Sequence, residues 1–450
     1  MASVSFLMPK ILGVADYGYW QLFLLYASYV GFGHFGFNDG VYLRLGGTPR
    51  SEVDKREAKG QFLLESATQM CLGIIIAFTS FVFIEDTERV FVLCSVAILL
   101  VVNNLANFMG YIFQAMDETR LYSYSIVINR SAFFLSIVIL VLFKADSFKA
   151  FVVFYILSQI IAFVFNLFNF RDFLATKRMP TLKTCIKRSV ADVKAGCKLM
   201  LANLASSLIL GIAQFTIEGT WGIETFSIYS LAISLSTFSL SFINQVSMVL
   251  FPALRQEKNI SAIYQRLQQG LDVLLPLTFF LYFPIFIVVS WWLPDYSESM
   301  LILPVLLPLC VFDGRMSILS TTYFKVLREE TRLLGVNVFA CGLSAGFSLL
   351  GSLVIGSPFA VVLGGVLAIV CRSAISERYF AHKLNQKYIK SFIGNLLVSM
   401  IFLLCSLALD CLAGFVVFLA AYCAWILVDT NRRSLILSIC VSAIERWKQL

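Results

Sequence analysis

PKILGVADYGYWQLFLLYASYVGFGHFGFNDGVYLRLGG, Pro9 to Gly47, decides the fold. A short apolar start meets a corner of glycine and aspartate, Gly13 to Gly18, and a long apolar and aromatic run follows. That run ends in the polar knot Asn38-Asp39-Gly40, with Arg44 just beyond. A helix needs about twenty apolar residues to cross a bilayer core. The stretch therefore reads as the tail of one span, a tight outer corner, and a whole second span re-entering a basic side. The residues before Gly13 reach only about 18 Å as a helix. Either the first span is half-length or the true start lies upstream of Met1.

The rest of the chain has the same character. Of 450 residues, 59% are hydrophobic and only 14% charged, a balance that leaves a soluble domain too little charge for its surface. Fold class is therefore all-α, a polytopic membrane protein. The net charge of +8 sits in loops between apolar runs, so it is an orientation signal and not a nucleic-acid footprint. The eleven cysteines lie mostly inside apolar runs with no CxxC pair, and read as small apolar fillers. With two distant histidines, His34 and His382, neither a metal site nor a histidine-based triad is expected, and no cofactor.

After the basic segment 46–59, apolar runs recur at 62–84, 90–115, 124–143 and 148–170. The hydrophilic segment 171–198 is strongly basic; further runs follow at 199–217, 223–252, 271–293, 300–323, 334–355, 359–381, 392–411 and 412–428. Counting the half-span gives about fourteen transmembrane helices. Every even span ends on a side carrying Lys or Arg (44–59, 171–198, 253–270, 325–332, 382–390 and 429–433), while the other side shows Glu85-Asp86, Glu218, Glu224 and Asp295. Both termini are then cytoplasmic. Ser434 to Leu450 carries one polar stripe at helical spacing and reads as an interfacial helix on the cytoplasmic leaflet.

The opening corner comes back. Gly13-Val14-Ala15-Asp16-Tyr17-Gly18-Tyr19-Trp20-Gln21-Leu22 aligns with Gly222-Ile223-Glu224-Thr225-Phe226-Ser227-Ile228-Tyr229-Ser230-Leu231, each leading into a long span that ends near a basic residue. Parallel repeats related by an axis along the membrane normal are a transporter construction. The expected organisation is an N-terminal lobe 1–170, a basic cytoplasmic linker 171–198, a C-terminal lobe 199–381, two extra spans in 392–428 and the interfacial helix 434–450. The two lobes hold six helices each.

Charges inside a bilayer cost about 2.5–3.5 kcal/mol each on insertion scales and need a reason. Asp313, Arg315 and Arg372 lie near the midplane of their spans, Arg130 about two turns in, and Asp39, Arg44 and Lys198 nearer the cytoplasmic mouth. Arg315 and Arg372 are too deep to snorkel, which leaves an ion pair with Asp313 or a position in a cationic lumen; the favoured reading is the lumen. Amides recur at helical spacing beside them, Asn103, Asn104, Asn107 and Gln114 in one lobe, Asn203, Gln214, Asn244 and Gln245 in the other. Such amides either join helices, at roughly 1 kcal/mol each, or line a cavity and meet sugar hydroxyls. No phosphate-binding G-x-x-x-x-G-K-[ST] loop, no G-x-S-x-G elbow and no long outer loop appears, so the chain is read as no enzyme.

The stretches PKILGVADYGYWQLF, GFNDGVYLRLGG at 36–47 and IYSLAISLSTFSLSFINQVSMVLFPALRQ at 228–256 resemble the polysaccharide-biosynthesis transporters. These are the O-antigen oligosaccharide-lipid flippases of the multidrug/oligosaccharidyl-lipid/polysaccharide exporter superfamily. The resemblance implies a V-shaped cavity between the lobes and a polyprenyl-diphosphate-linked glycan moved between leaflets of the bacterial inner membrane by alternating access. It implies a monomeric transport unit working beside glycan polymerase and chain-length machinery. Lys10 holds the place of a cavity-facing basic residue before the I-[FL]-G of the first span, and Arg44 that of the basic residue after the second. The expected diphosphate ligands are Arg44, Arg130, Arg315, Arg372 and Lys10. Asn38, Asp39, Asn104, Asn107, Asp313 and Gln245 are polar-cavity or ion-coupling candidates. The rivals are a multidrug cation antiporter of the same superfamily, which would prefer acidic lumen groups, and a polysaccharide polymerase or ligase, which would carry a large outer catalytic loop.

Overall fold

Glycine decides where the first helix bends. In the computed structural model, which describes residues 2–177, 180–256, 260–386, 388–429 and 432–434, α1 runs from Ala2 to Val30 and leaves helical geometry at Gly13 alone, with φ 69° and ψ 177°. That backbone region is essentially closed to residues with a Cβ. The expected corner Gly13–Gly18 thus narrows to one residue. Its repeat behaves alike: the long α8, Leu182–Gln256, departs from helical geometry at Gly222, with φ 83° and ψ −177°. An added Cβ would meet nothing within 4 Å at either glycine, so backbone conformation and not space selects them.

Between these bends lie α2 (Phe37–Leu45), α3 (Lys55–Phe83), α4 (Thr87–Ala115), α5 (Thr119–Leu142), α6 (Phe148–Asn169) and the single turn α7 (Arg171–Leu174). Acidic caps start two of them. Asp54 accepts from Arg56 N at 2.9 Å before α3, and Asp86 from Glu88 N at 2.9 Å before α4, satisfying orphan N–H groups at the positive helix end. Asp86 also takes the Tyr19 hydroxyl at 2.8 Å, while Asp16 accepts from the Phe148 N–H at 3.0 Å. The acid of the first corner is therefore the tertiary cap of α6.

The second span expected from the sequence is discontinuous. Gly31–His34 forms a 3-10 turn, and Phe35 and Gly36 are left-handed before α2 restarts the helix. Gly36, at φ 83°, supplies a left-handed residue of the break without a Cβ penalty. Gly36 and Gly40 then let α2 approach the start of α8. A Cβ on Gly40 would collide with the Asp192 carbonyl, one on Gly196 with the Gly36 carbonyl, and one on Gly36 would fall 2.6 Å from Cys197 N. This small-xxx-small contact is a membrane device for close helix packing.

Beyond α8 come α9 (Ile260–Leu274), a 3-10 stretch (Leu275–Leu281), α10 (Tyr282–Trp292), α11 (Ser299–Leu306) and α12 (Pro308–Arg315). A π-turn at Met316–Thr321 leads to α13 (Thr322–Val326); α14 (Glu330–Leu349) ends in a second π-turn, Leu350–Ile355, before α15 (Pro358–Lys383), α16 (Ile389–Ala408) and α17 (Cys411–Val428). Among the described residues, 11 helices are long and apolar enough to cross a membrane. One of these, Leu182–Ile243, contains the Gly222 bend and so holds two of the expected spans.

The chain divides into two compact units, Ile11–Leu204 and Met1–Lys10 with Ala205–Leu450. The division falls inside α8. Residues 171–198, read as a linker, are helical over α7 and again from Leu182, and their Cys185, Ser189 and Asp192 are buried. The core of the first unit is aromatic: Phe108 packs 5.6 Å from Phe37 and 6.0 Å from Phe62, and Phe170 stacks on Phe173 at 4.5 Å. In the second, Phe279 stacks on Phe402 at 4.5 Å and Phe418 closes the cluster. The expected interfacial helix lies outside the described residues, apart from Ser434.

Candidate functional site

The midplane arginines are the first test of a cationic lumen, and neither is a free cation. Arg315, at the end of α12, is fully buried. Its guanidinium forks onto Glu377 of α15 (Nε to Oε1 2.8 Å, an Nη to Oε2 2.6 Å), pairs with Asp272 of α9, and donates to Ser391 Oγ of α16 at 3.0 Å. Asp272 also accepts from Ser391 at 2.7 Å and Asn395 at 2.8 Å, and Glu377 from Ser373 at 3.0 Å. Buried Arg432 lies within electrostatic reach of Asp272 and Arg315, its guanidinium 3.7 Å over the Trp425 ring. Arg372 pairs with Asp313 and donates to Ser206 Oγ at 2.6 Å. The lumen reading of Arg315 is thereby corrected. Two carboxylates and a bidentate fork consume the charge that a diphosphate would need. Asp313 goes to Arg372 alone, and the acids of Arg315 are ones that the sequence reading did not use.

Arg44 is likewise engaged, with Asp192 at 2.8 and 2.9 Å, Glu57 at 2.9 Å and Gln61 at 3.0 Å. Lys10 is exposed, with its ammonium 5.5 Å over the Trp292 ring. Gln245 is exposed on α8 and Asn107 half-buried on α4. Arg130 differs from the other arginines. It stands near the middle of α5, exposed, and no acid pairs with it among the described residues. Beside it Asn129 donates to Gln159 Oε1 at 2.7 Å and accepts from Ser158 at 3.1 Å, so the neighbouring amide is held and the guanidinium is not.

A second polar group surrounds the break in the second span. The break frees backbone carbonyls, and side-chain amides collect them: Asn104 Nδ2 donates to Val30 O at 3.0 Å, and Gln69 Nε2 to Gly33 O at 2.9 Å. Asn104 also donates to Gln69 Oε1 at 2.9 Å, and Asn38 Nδ2 to Asn104 O at 3.3 Å. His34 Nδ1 accepts from Gly36 N at 2.9 Å, which leaves the ring proton on Nε2, 3.8 Å from Asp39. Broken backbone at membrane depth is tolerated where buried protein or a wet cavity satisfies it. A cavity of about 330 Å³ adjoins the break, lined in part by Gly33, His34, Glu65, Thr68, Gln69 and Ser189. Asn38 and Asn104, named from the sequence as polar candidates, belong to this group; Glu65, Gln69 and His34 were not among those candidates. The spacing Gly31-x-Gly33-x-x-Gly36 was the available signal.

The lipid II flippase MurJ in its inward closed conformation shares the fold: TM-score 0.66 at 12% identity, over 97% of this chain and 98% of that one. An inward-facing multidrug resistance MATE family transporter of the MOP superfamily matches with TM-score 0.62 at 13% identity, over 85% and 94%. No curated protein matches the chain. A family model described as polysaccharide biosynthesis protein matches residues 8–257, more than half of the sequence. The chain belongs to the polysaccharide biosynthesis protein family, built on the fold of the MOP transporters.

Proposed function

We propose that this chain flips a polyprenyl-diphosphate-linked oligosaccharide, an O-antigen or exopolysaccharide repeat unit, from the cytoplasmic to the outer leaflet of a bacterial inner membrane. The observation that carries the reading is Arg130: an exposed guanidinium, mid-helix, with no paired acid among the described residues. An uncompensated cation at that depth is costly unless it faces water or an anionic ligand. A guanidinium matches phosphate oxygens with paired donors, as an ammonium does not. Membership of the polysaccharide biosynthesis protein family supports a glycan cargo, and transport without covalent chemistry asks nothing of the chain beyond binding and re-exposure. Alternating access would supply the re-exposure. The polymerase and chain-length machinery would receive the product.

The test is a proteoliposome assay that follows a fluorescent diphosphate-linked glycan across the bilayer. Wild type is expected to move it, Arg130→Ala to lose at least tenfold in rate, and Arg130→Lys to recover part. Unchanged flipping by Arg130→Ala overturns the role of this residue. Movement of organic cations with none of the glycan returns the antiporter reading.

A further inference from the structure

Two buried carboxylates are treated in opposite ways. Glu377 receives a guanidinium fork and a serine hydroxyl. Glu65 of α3 is only 5% exposed, and its partners are neutral: Gln69 Nε2 at 2.9 Å and the Thr68 hydroxyl at 3.5 Å, the latter also bonded to the Glu65 carbonyl at 2.9 Å. No Lys or Arg lines the cavity that it faces. An ionised carboxylate without a cation pays the full cost of leaving water, and a protonated one does not.

The surroundings hold no compensating charge. His34, on the 3-10 turn, accepts the Gly36 N–H through Nδ1 and is neutral in that arrangement. Cys71 is the other titratable group on the α3 wall. Asp39 of α2 lies behind His34, and Asp192 of α8, next to the lining residue Val193, is committed to Arg44 and Gln61. The cavity is large enough for several waters, and Asn38 Oδ1 and Asn104 Oδ1 are buried acceptors without donors beside it. A space large enough for water thus adjoins an acid with no Lys or Arg paired to it among the described residues.

We propose that Glu65 is a proton-binding site of the transport cycle. The O–H bond is kept while the cavity is closed and broken to water when it is wetted, so proton release is tied to the state of the broken span. The coupling part rests on the transporter reading above; the proton site itself does not.

Infrared difference spectroscopy of the purified protein, without substrate, tests the site. A carboxylic-acid C=O band should be present near neutral pH, disappear on alkalisation, and be absent from Glu65→Gln. Glu65→Asp, which keeps the acid, should retain a shifted band and serves if the glutamine variant does not fold. Proteoliposomes with an imposed pH gradient test the coupling: wild-type glycan movement should respond to the gradient, and that of Glu65→Gln should not. A band unchanged in Glu65→Gln, or one that survives at every pH, overturns the proposal. If no protein moves glycan, the flippase reading fails while the infrared result still judges Glu65.

Discussion

The two compact units solve the same problem, polar groups inside a membrane protein, by different chemistry. In the Ala205–Leu450 unit the solution is charge balance: Arg315 with Glu377 and Asp272, Arg372 with Asp313, every pair joining two different helices. At the broken span of the Ile11–Leu204 unit it is neutral amides that gather the freed carbonyls. Balanced charges lock helices together, because every partner left behind would be an uncompensated ion. Neutral amides cost less to separate. The contrast teaches that the deep arginines, the loudest signals in the sequence, mark a clasp, while the quieter glycines and amides mark a break held by neutral groups.

The largest expected effect breaks the clasp. Arg315→Ala strands Glu377 and Asp272 and should destabilise the protein by about 3–5 kcal/mol, read as a lost or sharply lowered thermal unfolding transition in detergent. Asn104→Ala, in the neutral network, should cost only about 1–3 kcal/mol. Equal losses in the two variants would erase the distinction between the units.

A smaller effect tests whether the two bends are equivalent. Gly13 and Gly222 share a backbone region that a Cβ disfavours, with open space around both. Each alanine substitution should therefore cost about 1–3 kcal/mol through backbone strain alone. Among the described residues, only the first corner has an acid that caps another helix, Asp16 to Phe148 N. Asp16→Ala should then lower the unfolding temperature further, whereas Thr225→Ala, at the aligned position, should leave it unchanged. If Thr225→Ala matches Asp16→Ala, the asymmetry is wrong.

Hydropathy made the fold readable, because a bilayer demands long apolar helices whatever their packing. The repeat was readable too, since a conformation that excludes Cβ leaves a glycine behind in both copies. Ion pairing was not. Asp272 and Glu377 sit near the ends of their apolar runs, where acids are common. Which acid meets which arginine depends on helix packing, which a single sequence does not encode locally. Arg130 was legible as a deep cation, but its lack of an acid partner could be seen only once the neighbouring helices were in place.

The smallest effect lies at the end of the first unit, where charges are paired outside the spans and water can help them. Arg50 reaches Glu118 at 2.6 Å, Asp172 at 2.7 Å and the Asn169 carbonyl at 2.6 Å, with the Phe173 ring 5.2 Å away, while Lys55 adds a contact to Asp172 at 3.0 Å. Burial opposes ionisation of Asp172, but the hydrogen bonds and charges of Arg50 and Lys55 outweigh it and hold its carboxyl below the usual range. A carboxyl depressed in the folded state binds its proton more readily in the unfolded chain. Its stabilisation is therefore complete above the ordinary carboxylate range and disappears as pH falls through the lowered folded value. With about a third of the Asp172 side chain open to solvent, screening limits this contribution to less than about 1 kcal/mol. Wild type should lose unfolding temperature below about pH 4, and Asp172→Asn should lose less of it over the same acid interval while starting lower at neutral pH. Identical acid limbs for the two proteins would mean that Glu118 alone carries Arg50, and that the clamp depends on one acid rather than two.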